Sequence, residues 1–146
     1  MKNIIAVLIV LGFFTGTAQA LEKEDLVGHW HFYKKIYKGM EMPEPPEATL
    51  RLEFEFTADG MNHLYWTHQG DTDICERRGN YFVKDDYLVD EIVWVNPKNS
   101  SDCAKDPDMQ RGKRTITPIS IKNKDLYLYM MLGDDPLIYI WKKIEN

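Results

Sequence analysis

Val27-Gly28-His29-Trp30-His31-Phe32-Tyr33 reads as the first β-strand of the protein, and it begins with Gly-x-Trp. Side chains alternate between the two faces of a strand, so Trp30 and Phe32 share one side while His29, His31 and Tyr33 share the other. If Trp30 is turned inward, its ring can plug one end of a closed sheet.

Upstream lies a leader. Met1-Lys2-Asn3 is a short positive start, Ile4 to Phe14 is an apolar run of eleven residues broken only by Gly12, and Ala18-Gln19-Ala20 is a small-x-small cleavage signal. A membrane-spanning helix needs about twenty apolar residues, so residues 1–20 are expected to be a signal peptide. Leu21 follows the cleavage point with no cysteine beside it, so no membrane anchor is expected. The product, 21–146, has the length of one domain and is expected in the periplasm or secreted. Loss of Lys2 takes the 18 basic residues to 17 against 23 acidic ones, a net charge of −6. An acidic surface disfavours nucleic acid and anionic membrane as partners.

Both cysteines, Cys75 and Cys103, lie in the exported part, where an oxidising compartment makes a disulfide the default. Two free thiols or a metal pair are the alternatives. A bridge closing a loop of this length would contribute about 3.5 kcal/mol on the chain-entropy account. No Cys-x-x-Cys redox spacing occurs.

Downstream of Tyr37, residues 38–47 contain three prolines and are expected to form a long loop, either a lid over one mouth or a spacer. Leu50-Arg51-Leu52-Glu53-Phe54-Glu55-Phe56 alternates cleanly, with four apolar residues on one face. A three-residue turn at Ala58-Asp59-Gly60, with Gly60 left-handed, pairs Phe54 with Leu64, Leu52 with Trp66, Glu55 with His63 and Leu50 with His68. After a polar loop at 69–73, two strands meet at an Asp85-Asp86 tip. One of their faces collects Arg77, Tyr81, Val83, Leu88, Asp90, Ile92 and Trp94 and the other Arg78, Phe82, Val89, Glu91, Val93 and Val95, so whichever face is inside, an arginine is expected to go with it unless Gly79 makes a bulge that re-aims the strand.

Residues 96–113 are aperiodic and form a long loop carrying Cys103. Strands follow at 114–122, 125–131 and 137–144, with a two-residue turn at Asn123-Lys124 and a final turn at Gly133-Asp134-Asp135-Pro136. Pro118 inside the first of them predicts a bulge or local opening. Eight strands with mostly short connections and no convincing helix make an all-β protein, an eight-stranded antiparallel up-and-down barrel. Closure also removes the edges that invite aggregation.

Gly28-x-Trp30, the long first loop and the aromatic last strand resemble the lipocalin-like proteins of the calycin superfamily. The resemblance implies that Trp30 closes the barrel base beneath a basic side chain, supplied by Lys142 or Lys143. The family's Thr-Asp-Tyr block is represented only by Lys124-Asp125-Leu126-Tyr127, and the chain ends without the helix that larger lipocalins pack on the barrel.

For chemistry the residues offer little. His29-x-His31 has a spacing that zinc or copper can use, but with Trp30 inside both histidines face solvent and no acid is expected to complete a shell. There is no Gly-x-Ser-x-Gly nucleophile motif, and whichever of Asp90 and Glu91 points inward meets an arginine, which suggests a structural ion pair. No catalytic residue, metal or cofactor is therefore expected. Trp66, Trp94 and Tyr81 can line an apolar cavity in which Arg77 and His68 orient a ligand's anionic or carbonyl end, or the same rings simply fill the barrel. The expected function is binding of a small hydrophobic or amphipathic molecule. The alternative is a filled barrel that recognises an envelope protein through the loops at 38–48 and 96–112.

Overall fold

The computed structural model describes residues 20–42, 50–68 and 74–145. Residues 1–19, where a signal peptide is expected, the prolines of the first loop and the polar loop at 69–73 lie outside the described residues, as do the side chains of Leu50 and His68. Nine strands form one antiparallel sheet: β1 (Gly28–Tyr37), β2 (Met40–Met42), β3 (Leu50–Phe56), β4 (Met61–His68), β5 (Ile74–Lys84), β6 (Tyr87–Val95), β7 (Arg114–Lys122), β8 (Asp125–Leu132) and β9 (Asp135–Lys143). From β3 onward neighbours in sequence are neighbours in space, and β1 pairs with both β3 and β9, so eight strands close into a barrel. The fold is the all-β, eight-stranded barrel that the alternation and strand count predict.

The turns explain the register. Asp85, Asp86, Asn123 and Lys124 all have positive φ, the mirror-image turn whose twist matches the flanking strands. Gly60 has φ 86°, and the β3–β4 ladder pairs Leu50 with His68, Leu52 with Trp66, Phe54 with Leu64 and Glu55 with His63, as predicted. At Pro118 the barrel opens locally. Residues 114–118 pair with β6, whereas only 119–122 pair with β8. Proline has no N–H to donate across to Tyr129, so the second ladder stops beside it.

Four details differ from the sequence reading. Met40–Met42 belongs to a strand, a short flap on the end of β1, rather than to the loop. A four-residue helix α1 (Lys23–Leu26) precedes β1. The last turn is only Gly133-Asp134, because Leu132 pairs with Asp135 and Met131 with Pro136. Finally, β6 carries one extra residue, Val93, between the Arg78–Trp94 and Gly79–Ile92 pairs. That bulge reverses the facing of everything beyond it. Trp94 therefore lies outside, 37 % exposed, with the Arg78 guanidinium 5.1 Å from its ring centre.

The base of the barrel is solid. Trp30, Phe54, Phe56, Leu126 and Trp141 are all at most 4 % exposed, with Leu26 of α1 packed into the same cluster. The indole Nε1 of Trp30 donates to the Leu26 carbonyl at 2.8 Å, and Lys143 Nζ stands 5.1 Å from the ring centre. Lys142 points the other way, 3.7 Å from the Tyr33 ring on the outer face. Gly28, at φ 133°, leaves the path for Lys143: a Cβ there would sit 2.7 Å from the lysine Cε.

Candidate functional site

Alternation carries Arg77 and Tyr81 of β5 and Asp90 of β6 inward, while Trp66 of β4 meets Cys75 in register. Arg77 is 5 % exposed and closes a buried network. Its Nη2 donates to Asp90 Oδ2 at 2.8 Å, its Nη1 to Asn62 Oδ1 at 3.1 Å, and Asn62 Nδ2 donates to Asp90 Oδ1 at 2.8 Å. The guanidinium also lies 5.5 Å from the Phe54 ring centre. The guanidinium that the sequence offers to a ligand's anionic or carbonyl end is thus held in an ion pair with Asp90. Gly79 is required here, because a Cβ would run into the Asp90 carboxylate and come within 2.9 Å of the Glu91 carbonyl. Glu91 itself faces out and is exposed.

Tyr81 is buried in the base cluster and donates from its hydroxyl to the Thr57 carbonyl at 2.8 Å. Burial pushes that hydroxyl up to about 12, so it stays a neutral donor. Trp66 is half-buried against Cys75, Cys103 and Met109. These five candidates are not one cluster: Trp66 and Arg77 face the interior, Tyr81 belongs to the base, Trp94 is outside, and the His68 side chain lies outside the described residues.

The loop at 96–113 covers part of the mouth. Cys103 is disulfide-bonded to Cys75, with Cα atoms 5.7 Å apart, and Met109 is 4 % exposed although its surroundings in sequence are aperiodic. Burial, and then the nearby carboxylates of Asp106 and Asp108, raise the hydroxyl of Tyr139. The loop thus reaches toward the β9 wall. Its anchor is Glu76, whose backbone N–H donates to Asn99 Oδ1 at 2.8 Å and whose Oε2 accepts from Asn96 Nδ2 at 2.6 Å.

Burial opposes ionisation of Glu76, but hydrogen bonds from Asn96 and His63 and the charge of Arg78 outweigh it and hold its carboxyl below the ordinary 4.5. A depressed carboxyl stabilises the fold above its unfolded value and loses that contribution as pH falls through its folded value. Melting temperature should therefore fall on acidification below pH 4.5, and Glu76→Gln should flatten that limb. A variant with the same acid limb as the parent would remove Glu76 from the anchor.

What the sequence missed is the wall opposite the loop. Register places Met42 beside Lys35, Met40 beside Tyr37, Tyr37 beside Leu137 and Leu137 beside Met130, on the face continuous with the interior. Met40 is 67 % and Leu132 59 % exposed. Two buried donors, Arg77 Nε and Trp141 Nε1, have no hydrogen-bond partner among the described residues. Both side chains contact Phe54, with the Trp141 ring centre 5.7 Å from its own.

The outer histidines also differ from expectation. Glu55 stands beside His29, with Nε2 3.0 Å from Oε1, and Glu55 Oε2 lies 3.9 Å from His63 Nδ1. His63 Nε2 in turn lies 2.8 Å from Glu76 Oε1. Acids are thus present where none was expected, bordering an open hollow of about 370 Å³. They form a chain rather than a shell, and among the described residues no group of three or more such side chains is arranged to hold a metal ion.

No protein-family model matches the chain, and no curated protein sequence matches it. Among solved structures, a lipocalin-like protein from Bacteroides uniformis superposes with a TM-score of 0.56 at 17 % identity, covering 82 % of this chain and 99 % of that one. An uncharacterized protein from Bacteroides eggerthii superposes with a TM-score of 0.52 at 16 % identity, with the same coverage. The fold of this chain is lipocalin-like.

Proposed function

We propose that this protein binds a small hydrophobic or amphipathic molecule at the open end of its lipocalin-like barrel. The observation that carries the reading is the row of interior-continuous side chains left uncovered at the rim, Met40, Met42 and Leu132. Methionine side chains are flexible and polarizable, so such a wall adapts to ligands of varied shape. Arg77 Nε and Trp141 Nε1 are buried deeper, in the packed interior, and are not part of this rim. Neither a catalytic group nor a cofactor enters this reading. The disulfide and the leader motif support a periplasmic or secreted location.

An acyl-naphthalene dye, apolar with one carbonyl, is the probe. Its emission should shift to the blue with the protein, and Trp66→Ala or Met40→Ser with Leu132→Ser should weaken binding by about tenfold. Trp94→Ala should leave the affinity unchanged. Equal affinity across all of these folded variants would overturn the site.

A second reading is favoured by the filled base and the loop pinned over the mouth: a protein-interaction module using the same apolar rim. Native mass spectrometry of protein purified from its own source separates the two. A retained small molecule supports the first and a retained polypeptide the second.

A further inference from the structure

The outer face of β7, β8, β9 and β1 carries a cluster that the barrel interior does not use. Register aligns Ser120, Tyr127, Ile140 and Lys34 in one outward row and Lys122, Asp125, Lys142 and His31 in the next. Tyr33, the extra residue of a bulge between Phe32 and Lys34, lies among them, with Lys142 Nζ 3.7 Å and Lys34 Nζ 5.2 Å from its ring centre. Lys122 Nζ stands 5.1 Å from the Tyr127 ring centre and 5.5 Å from that of Tyr129, and donates to the Tyr129 hydroxyl at 2.9 Å. The Tyr127 and Tyr129 rings are nearly parallel, at 22°. Ile140 points outward yet is only 1 % exposed, so neighbouring side chains lie over it as a flat cover.

The electrostatics of this face run against those of the chain. Lys34 is paired with Glu41 at 2.6 Å, but Lys122 and Lys142 have no carboxylate within ion-pair distance among the described residues, although Asp125 pairs with both in register. Aromatic faces attract an ammonium without neutralising it. Burial raises the Tyr129 hydroxyl, but hydrogen bonds from Lys122 and Ser120, with the Lys122 charge, hold it below its ordinary value. Toward the barrel base the face runs into an open hollow of about 560 Å³, whose charged lining is mixed: Lys124, Lys142 and Lys143 with Asp25, Asp125 and Glu145.

We propose that this face binds an acidic polysaccharide, the tyrosine rings stacking on sugar rings while Lys122 and Lys142 take their anionic substituents. A polyanion supplies the counter-charge the two ammoniums lack, and the half-buried tyrosine rings suit the apolar faces of pyranoses. An anionic membrane fits less well. Ile36 and Ile138 are half-buried and Ile140 is covered, so no aliphatic side chain of these rows stands out to enter lipid. The exposed Met131 lies beyond Tyr129, at the mouth end.

The test is affinity electrophoresis of the full exported chain through gels containing polygalacturonate or neutral dextran, with sedimentation on phosphatidylglycerol vesicles alongside. Retardation by polygalacturonate alone is expected, reversed by salt, weakened by about tenfold or more in Lys122→Gln with Lys142→Gln and restored when both are arginine. Lys98→Gln with Lys105→Gln removes the same charge elsewhere and should retain binding. No retardation, equal loss in the two glutamine pairs, or a preference for vesicles would each overturn the proposal. Unchanged melting temperatures show that the variants are folded.

Discussion

Asp90→Ala is expected to destabilise the barrel by about 3–5 kcal/mol, because it leaves a buried guanidinium without its counter-ion. Arg77 and Asp90 are each 5 % exposed and Asn62 2 %, so water cannot readily replace the lost carboxylate. Two hydrogen bonds end on that carboxylate, one from Arg77 Nη2 and one from Asn62 Nδ2, so the substitution orphans a second buried group as well. Among the described residues Arg77 Nε is already without a partner, which leaves the guanidinium little to fall back on. Arg77→Met alone should also be costly, since the Asp90 carboxylate keeps only the Asn62 amide. Removing both charges is a different matter. Arg77→Met with Asp90→Leu should recover much of the loss, because the desolvation of both ions disappears together with their attraction. Urea unfolding of the three variants at neutral pH, compared as a double-mutant cycle, measures this. A single-variant cost below about 1 kcal/mol would mean that the network is hydrated and contributes little.

That network also shows what can be read from a sequence of this kind. Arg77 and Asp90 on one face follow from strand alternation and the Asp85-Asp86 tip, because both are local rules with a period of two. Asn62 does not announce itself: a polar residue just after a turn is ordinarily solvated, and only the three-dimensional closeness of β4 to β6 makes it the bridge. Trp94 was misplaced for a related reason. One added residue, Val93, reverses the facing of everything after it, and no glycine or proline at that position marks the change; Gly79 sits opposite, on the partner strand. The same holds for Tyr33 in β1, where a bulge turns Lys35 inward and Lys34 outward. The rim was hidden because Met40–Met42 is too short to show periodicity beside three prolines. Met109 was hidden because the residues that bury it are distant in sequence and brought close by the Cys75–Cys103 bridge.

The second large effect is expected at the other end of the barrel. Trp30→Ala should cost about 3–5 kcal/mol, the range for removing a fully buried aromatic ring. It opens a void between Leu26 and the base cluster, and leaves the Leu26 carbonyl without its 2.8 Å donor. Trp30→Phe separates these contributions, keeping most of the ring while losing the N–H, and should cost about 1–2 kcal/mol more than nothing for the broken hydrogen bond and the smaller ring. Lys143→Met should cost about 1 kcal/mol or less, because the lysine acts through its charge over an indole that stays packed without it. These differences also bear on function. If the ligand sits at the rim, above a base that is already filled, Trp30→Phe should unfold at lower denaturant and yet bind the acyl-naphthalene dye with unchanged affinity. A dye affinity that falls in step with the stability of the base variants would instead place the ligand deep in the barrel, against the indole.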